Sequence, residues 1–495
     1  MSILLRRLVL LLPVLAMLST CAPTAGGETI TADDGVRYPA MDAYVRAQMD
    51  TVRIPGVAYA VVEPQGIVHS GTFGTDGDGR PVTKSTPFLW GSVAKPVTAT
   101  LAMTLVESGE LELDMPVVTY LPSFRMRDEA RSERITIRHL LDQTSGIPTS
   151  TRFTDRTEPG RRPIDTVAEL ADEASENEPG AAHHYSSTNY LLLAAVVEQV
   201  TGRPFTAVLA DRVLDPMGMR SAITDQDRAD ANLPPGHRFV FGRPMSFDAP
   251  FDPAGVAYGY LGGSLHDAAA FAAANLGGPA GVLAESQRAA MFRGEIETGE
   301  GRSYGLGWRR WTVEGTTEPM VWHGGAGPGY WAQIILLPDQ NRAVVLLADA
   351  YGTFHEPRLL ETGFGLARLL HGLPPAGTAD HTYSAVLATL LGIAGLLIAL
   401  VLRSIWQLTH PAGVRRRWMT LTALAVWGIG LACILYGFSV VVPGQAGVGL
   451  DQIVLWTPDV AWLLYTILAA AGLLVALRIA VATRLVRSGA YRPST

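Results

Sequence analysis

Three regimes of hydrophobic patterning follow one another along the chain. At the start, Arg6-Arg7 precede an apolar run from Leu8 to Leu18. That run is too short to cross a hydrocarbon core of ~30 Å and carries positive charge ahead of it, so it predicts an export segment over residues 1–25. From about residue 26 to 383, apolar runs alternate with Gly, Pro and Asp punctuation, the pattern of a globular domain, placed at 30–372. Within it Val57–Val62 reads as a strand, as do Ile334–Leu337 and Ala343–Leu347, joined by the turn Pro338-Asp339-Gln340-Asn341. Val97–Glu107 and Tyr190–Val200 read as helices, the second stopped by Gly202.

Beyond a linker at 373–383, the third regime holds the runs Ser384–Leu402, Met419–Val442 and Val460–Leu477, none with a Lys, Arg, Asp or Glu. Their length and uniform apolarity predict an all-α membrane domain over 384–495, with spanning helices at 384–402, 419–442 and 460–482. The first connection carries Arg403, Arg415, Arg416 and Arg417, and the tail carries Arg478, Arg484, Arg487 and Arg492, whereas Pro443–Asp459 has no basic residue. The positive-inside rule then puts the Arg-rich segments and the C-terminus in the cytoplasm. The globular domain is expected outside, on a multi-pass protein of the cytoplasmic membrane, the same side the export segment requires. Trp427, Trp456 and Trp462 are expected as interfacial or packing residues, and Gly428, Gly430 and Gly437 would allow the close helix packing of a homodimer.

Composition changes this picture little. The chain has 495 residues and a net charge of −7, which gives no electrostatic ground for nucleic-acid binding. Cys21 and Cys433 are the two cysteines, far apart and in apolar surroundings, which excludes a disulfide scaffold and a Cys-rich metal site. Leu18-Ser19-Thr20-Cys21 resembles a bacterial lipoprotein signal, although Thr20 departs from the small residue usual before the lipidated cysteine; ordinary cleavage and an uncleaved anchor are the alternatives. His183 and His184 lack a metal-ligand spacing partner, so neither metal nor cofactor is expected.

The two lysines are Lys84 and Lys95, so a motif that needs lysine is easily tested. Gly91-Ser92-Val93-Ala94-Lys95 stands ahead of a helical stretch, with Ser92 as a candidate N-cap and Pro96 in the first turn. A spacing of three sets Ser92 and Lys95 on one face, where an amine can relieve a weak serine nucleophile of its proton. With 23 Ser and 2 Lys in 495 positions, chance supplies about 0.1 such Ser-x-x-Lys pairs. Tyr185-Ser186-Ser187-Thr188-Asn189-Tyr190 heads a second helix; alone it reads as capping serines over two buried tyrosines, with a tyrosine base whose pKa a lysine lowers as the alternative. His323-Gly324-Gly325-Ala326 lies on a strand whose glycines would let a substrate backbone approach, and by itself His323 reads as a structural histidine.

In this order the three segments resemble the signature of penicillin-recognising serine hydrolases: Ser-x-x-Lys, Tyr-x-Asn, then Lys-Thr-Gly or His-x-Gly. The branch it is most similar to holds class C β-lactamases, serine D,D-carboxypeptidases, D-aminopeptidases and related esterases (peptidase family S12). Gly109–Asp114, Ile135–Pro148 and Tyr304-Gly305-Leu306-Gly307-Trp308 extend the resemblance over about Met41 to Ala348. It implies an α/β (α+β) fold with an antiparallel sheet flanked by helices and a helical region inserted. It further implies Ser92 as nucleophile, Lys95 and Tyr185 as the proton-moving groups, backbone N–H groups of Ser92 and Ala326 as oxyanion hole, and Ser187, His323 and Gly325 on the substrate. Two departures stand out: Ser187 replaces the Asn that holds a substrate amide, and His323 replaces the Lys that binds a carboxylate in many β-lactamases. Both argue against efficient penicillin hydrolysis, and neither argues against an acyl-enzyme.

The whole architecture is similar to the membrane-anchored prodrug-activating peptidases of nonribosomal peptide pathways, which remove an N-acyl-D-amino-acid leader. The substrate expected is thus a small peptide-like or acylated molecule, with membrane lipid as the other partner. D,D-carboxypeptidase, esterase, weak β-lactamase and a non-turnover β-lactam sensor are the alternatives.

Overall fold

The computed structural model describes residues 34–149, 151–377, 381–410, 417–441 and 450–487. The expected export segment with Cys21 lies outside the described residues, as do 411–416 of the Arg-rich connection and the last residues of the tail.

After helix α1 (Asp34–Val52) come strands β1 (Gly56–Glu63) and β2 (Gly66–Gly74), then helices α2 (Ala94–Glu107) and α3 (Thr188–Thr201). The hairpin β3 (Gly236–Val240) and β4 (Arg243–Phe247) precedes helix α4 (Leu265–Asn275). Strands β5 (Ile296–Gly299), β6 (Arg302–Tyr304), β7 (Arg309–Thr312), β8 (Pro319–Gly327), β9 (Tyr330–Leu337) and β10 (Arg342–Ala348) follow, then helix α5 (Glu356–Leu370). Eight strands make one sheet in the order β2-β1-β10-β9-β8-β7-β6-β5, and its pairings are antiparallel. This is the expected α+β arrangement, and the strands at 57–62, 334–337 and 343–347 stand where the pattern put them.

Strand β1 is apolar at almost every position because both its faces are covered. Ala58, Ala60 and Val62 enter one core with α2, α3 and α4, while Val57, Tyr59 and Val61 enter a second with α1 and α5. A strand buried on both faces reads as a continuous apolar run, since successive side chains serve opposite cores. Helix α3 is apolar all round for the same reason: Leu191, Leu192, Leu193, Ala194 and Ala195 are all inaccessible. Gly202 ends it in the left-handed conformation, φ 67°, a geometry glycine adopts without a Cβ penalty.

The C-terminal module consists of α6 (Thr382–Thr409), α7 (Arg417–Tyr436), α8 (Leu450–Trp456) and α9 (Pro458–Arg487). Among the described residues two helices, Thr382–Thr409 and Pro458–Arg484, combine the length and apolarity of a membrane span, with mean hydropathies of 2.8 and 2.3. The middle stretch, expected as a third span at 419–442, yields a shorter apolar helix, Ala425–Val441, whose last turns from Gly437 are π-helical. Helices α6 and α9 run parallel. At one end the Tyr383 hydroxyl donates to Asp459, and at the other Arg484 donates to the Gln407 carbonyl at 3.1 Å. Leu396, Leu402, Trp406, Val426 and Ile429 point outward with more than half of their surface exposed, an apolar exterior compatible with a membrane setting.

This module docks on the sheet domain through the β3–β4 hairpin. Its two-residue turn, Phe241-Gly242, has positive φ at both positions, 49° and 73°, as a tight antiparallel hairpin requires. The turn presents its N–H groups outward, Phe241 to the Asp459 carboxylate at 2.8 Å and Gly242 to the Tyr383 hydroxyl at 2.8 Å. Arg238 on β3 donates to the Val454 carbonyl of α8 at 3.4 Å, and Gln452 reaches the Thr154 carbonyl at 3.5 Å.

Candidate active site

Ser92 sits in a 3-10 turn, Gly91–Val93, that leads into α2. It does not cap the helix as its position suggested: Val93 holds the N-cap place without a side-chain bond, which leaves the Ser92 hydroxyl for other partners. The turn is pressed against β8. A Cβ on Gly91, which has φ +52°, would lie 2.4 Å from the Ala326 carbonyl, and one on Gly325 would lie 1.9 Å from the Trp90 carbonyl oxygen. The bare Gly325 therefore admits the Ser92 turn, not a substrate backbone as its strand position suggested. The edge of β8 is open to the turn there because β7 pairs with β8 only over Pro319–Trp322, while β9 continues to Gly327.

Lys95 is wholly buried one helical turn on. Its Nζ lies 2.9 Å from Ser92 Oγ, 3.1 Å from Ser187 Oγ and 2.9 Å from the Tyr258 carbonyl oxygen. Burial drives its pKa well below the usual lysine range, the Arg309 cation pushes the same way, and Asp155 opposes both. A neutral amine has two N–H groups and one lone pair for these three oxygens. The Tyr258 carbonyl can only accept, so one N–H and the lone pair are left to the two hydroxyls. Lys95 is thereby held as a neutral amine with its lone pair toward a hydroxyl.

The Tyr185 ring lies under the same amine, 5.0 Å from Nζ to the ring centre. Here the structure corrects the sequence reading. Burial raises the phenol to about 12, outweighing the Arg309 cation and a hydrogen bond with Ser92 that lower it. Tyr185 is thus a protonated phenol at neutral pH. Ser187, the first residue before α3, makes no capping bond; its hydroxyl faces Lys95 instead. The segment is held from behind: Gln143 Oε1 accepts from the Ser186 N–H at 2.9 Å and the Asn189 amide at 2.6 Å, and Ser145 donates to Asn189 at 2.7 Å. The stretch Ile135–Pro148 thus earns its place as scaffold for Tyr185 and Ser187.

His323 is 1 % exposed and faces the rear of the site. Its Nδ1 lies 2.7 Å from the Gly324 carbonyl oxygen, which can only accept, so Nε2 is left as an acceptor for the Tyr304 hydroxyl at 3.3 Å. Burial first, and then Arg309, push its pKa well below the usual imidazole range. A neutral ring with both nitrogens engaged offers no charge to a substrate carboxylate. The cation at this place is Arg309 on β7, overlooked in the sequence, whose guanidinium lies 5.2 Å from the Tyr185 ring centre, 5.7 Å from that of Tyr304 and 5.6 Å from that of Trp322. Three aromatic faces stabilise it there. His183 and His184 diverge, the first onto the Tyr304 ring at 5.2 Å and the second onto Thr149 at 3.1 Å.

A cleft of about 260 Å³ opens in front of Ser92 and Ser187, with Ala326, Asp155, Tyr258 and Trp456 among its walls. Asp155 has its pKa raised to about 6 by burial, against hydrogen bonds from Tyr260 and Trp456. Neither Asp155 nor Trp456 was legible as a site residue; Trp456 in particular was expected as an interfacial or packing side chain.

With this geometry, a family model for Beta-lactamase matches residues 41–363. The chain belongs to the beta-lactamase family. Among curated proteins, this family member is 35% identical over 202 residues to penicillin-binding protein 4 of Amycolatopsis lactamdurans, covering 38% of this chain and 50% of the relative. It is 24% identical over 326 residues to protein flp of Staphylococcus aureus strain MW2, 65% of this chain and 64% of that protein. The chain therefore spans between half and two thirds of the length of these relatives. Of solved structures, the octameric penicillin-binding protein homologue from Pyrococcus abyssi superposes with a TM-score of 0.58 at 23% identity, over 71% of this chain and 81% of that one. SurE superposes with a TM-score of 0.57 at 26% identity, over 70% and 78%. The shared fold is that of the sheet domain, and the matches agree with the resemblance carried by Ser92, Lys95 and Tyr185.

Proposed function

We propose that this beta-lactamase-family chain is a serine hydrolase that cleaves amide or peptide bonds through an acyl-enzyme on Ser92. The observation that carries the reading is the buried, neutral Lys95 amine 2.9 Å from Ser92 Oγ. Ser92 Oγ attacks the substrate carbonyl carbon, its proton passes to the Lys95 lone pair, and the C–O bond forms as the carbonyl electrons move to oxygen. Backbone N–H groups of Ser92 and Ala326 receive that oxyanion. As the carbonyl re-forms, the C–N bond breaks and the leaving nitrogen takes its proton from Tyr185, which is replenished from Lys95. Water then attacks the ester carbon, loses a proton to Lys95, and releases the acid and the Ser92 hydroxyl. Ser187 and Ala326, which line the cleft with Ser92, are the substrate-contacting groups; no metal or cofactor enters the scheme.

The domain works outside the cell on an anchor of three C-terminal helices, with Arg-rich segments in the cytoplasm. Supporting this, the Arg484 end of the α6–α9 pair is opposite the end that docks on the sheet domain. Within the hydrolase class we infer a substrate bearing an N-acyl-D-amino-acid leader, on the strength of the export segment, domain and helices in that order.

The test is intact-mass spectrometry of the detergent-solubilised protein with an activated acyl probe, beside Ser92→Ala. A panel of an N-acyl-D-Asn amide, a D-Ala-D-Ala peptide, nitrocefin and a short ester accompanies it. Ser92-dependent labelling with turnover and preference for the D-Asn amide is expected. Preference for D-Ala-D-Ala keeps the acyl-enzyme and replaces the substrate. A stoichiometric adduct without turnover makes the chain a sensor, and an unlabelled wild type overturns the hydrolase reading.

A further inference from the structure

The side chain least expected in the cleft comes from the wrong domain. Trp456 closes α8, in the connection that precedes α9, yet it shares the walls of the cleft with Ser92 and Ser187. It is partly exposed there, and its ring is set by contacts on the sheet domain: Tyr351 meets it edge-on at 5.4 Å between ring centres, and Asp155 is hydrogen-bonded to it. The backbone around it is tied independently, through Gln452 to Thr154, Arg238 to Val454 and Phe241 to the buried Asp459. These five attachments hold a large aromatic face in the wall of the cleft that Ser92 shares. Such a face costs two torsions to order and offers a large contact area, which suits it to binding an apolar group.

We infer that Trp456 is a specificity-determining residue of the Ser92 site, and that docking of the C-terminal module completes a subsite for an apolar acyl or aromatic group of the substrate. The inference rests on the hydrolase reading and deepens it. Ala326, Pro328, Tyr258 and Tyr260 line the same cleft, so apolar surface accompanies the polar Ser187 and Asp155 there. The module is then part of the binding site as well as an anchor.

The experiment uses the full chain in detergent and two amides identical at the scissile bond, one N-phenylacetylated and one N-acetylated. The wild type is expected to favour the phenylacetyl substrate in kcat/KM. Trp456→Ala is expected to lower that preference about tenfold through the KM of the phenylacetyl substrate, and Trp456→Phe to retain it within about threefold. Asp459→Ala, which loosens the docking without touching the cleft, is expected to lower the preference in the same direction. Ser92 labelling by a small acyl probe is run on every variant. An unchanged preference in Trp456→Ala, equal losses on both substrates, or loss of labelling in that variant overturns the inference while the labelled wild type keeps the hydrolase reading. An unlabelled wild type overturns both.

Discussion

Lys95 Nζ lies 2.9 Å from Ser92 Oγ, wholly buried and flanked by a cation, Arg309, that repels a second charge. Two unlike effects, desolvation and repulsion, therefore favour the same neutral state. The pair can take up a proton only when chemistry supplies one.

Removing either member should disable the site without unfolding it. Ser92→Ala is expected to lower kcat/KM by at least about a thousandfold and to abolish acylation. Its melting temperature should stay within a few degrees of wild type, because Ser92 makes no helix-capping bond. Steady-state kinetics, intact mass and thermal unfolding check the three parts.

The pH profile should carry the mark of Arg309. Activity needs neutral Lys95, so it is lost as pH falls through the depressed lysine pKa, giving an acid limb well below the usual lysine range. Arg309 contributes to that depression; Arg309→Gln removes it, raises the lysine pKa, and should move the acid limb of kcat/KM to higher pH. A limb that stays in place, or moves lower, contradicts the assignment.

Tyr185→Phe keeps the ring and removes the proton. Because burial raises the phenol to about 12, its ionisation should not appear as an alkaline limb below pH 10. The variant should lose about 10²–10⁴-fold in kcat as befits a general acid. The loss should shrink for a substrate whose leaving group needs no proton, such as an activated aryl ester; comparison of amide and aryl ester rates reads this directly.

Gly325→Ala tests the seam between β8 and the nucleophile turn. Its new Cβ would meet the Trp90 carbonyl oxygen at 1.9 Å and the Ser92 nitrogen at 2.6 Å, so backbone has to move. Overpacking of this kind costs about 1–3 kcal/mol. Activity should fall far more than stability does, since Ser92 is the part displaced; chemical denaturation and kinetics on the same sample separate the two.

How much of this was legible in the sequence depended on range. Strands β1, β9 and β10 and helices α2 and α3 declare themselves through local periodicity, and Ser92, Lys95 and Tyr185 through short motifs. What did not show is what other parts of the chain do to these residues. The Ser92 motif looked like a cap because local spacing cannot reveal that β8 presses on the turn. Tyr185 looked like a base because the resemblance set it near a lysine, and its burial was not visible. Arg309 reaches the site only through strand pairing: it stands opposite Tyr304 on one side and Trp322 on the other. Trp456, in a connection without any chemical motif, gave no signal at all.

The mutual fit of Gly91 against Ala326 and of Gly325 against Trp90 is a backbone seam between the helical layer and the sheet, beside the one core that both share. One side contributes the nucleophile with its own amide, the other the facing strand. Nothing needs to unfold for the site to fail: a small local shift at this seam would separate the two amides while the shared core stayed packed. The seam thus makes the position of Ser92 sensitive to displacements between strand and turn that leave the fold itself in place.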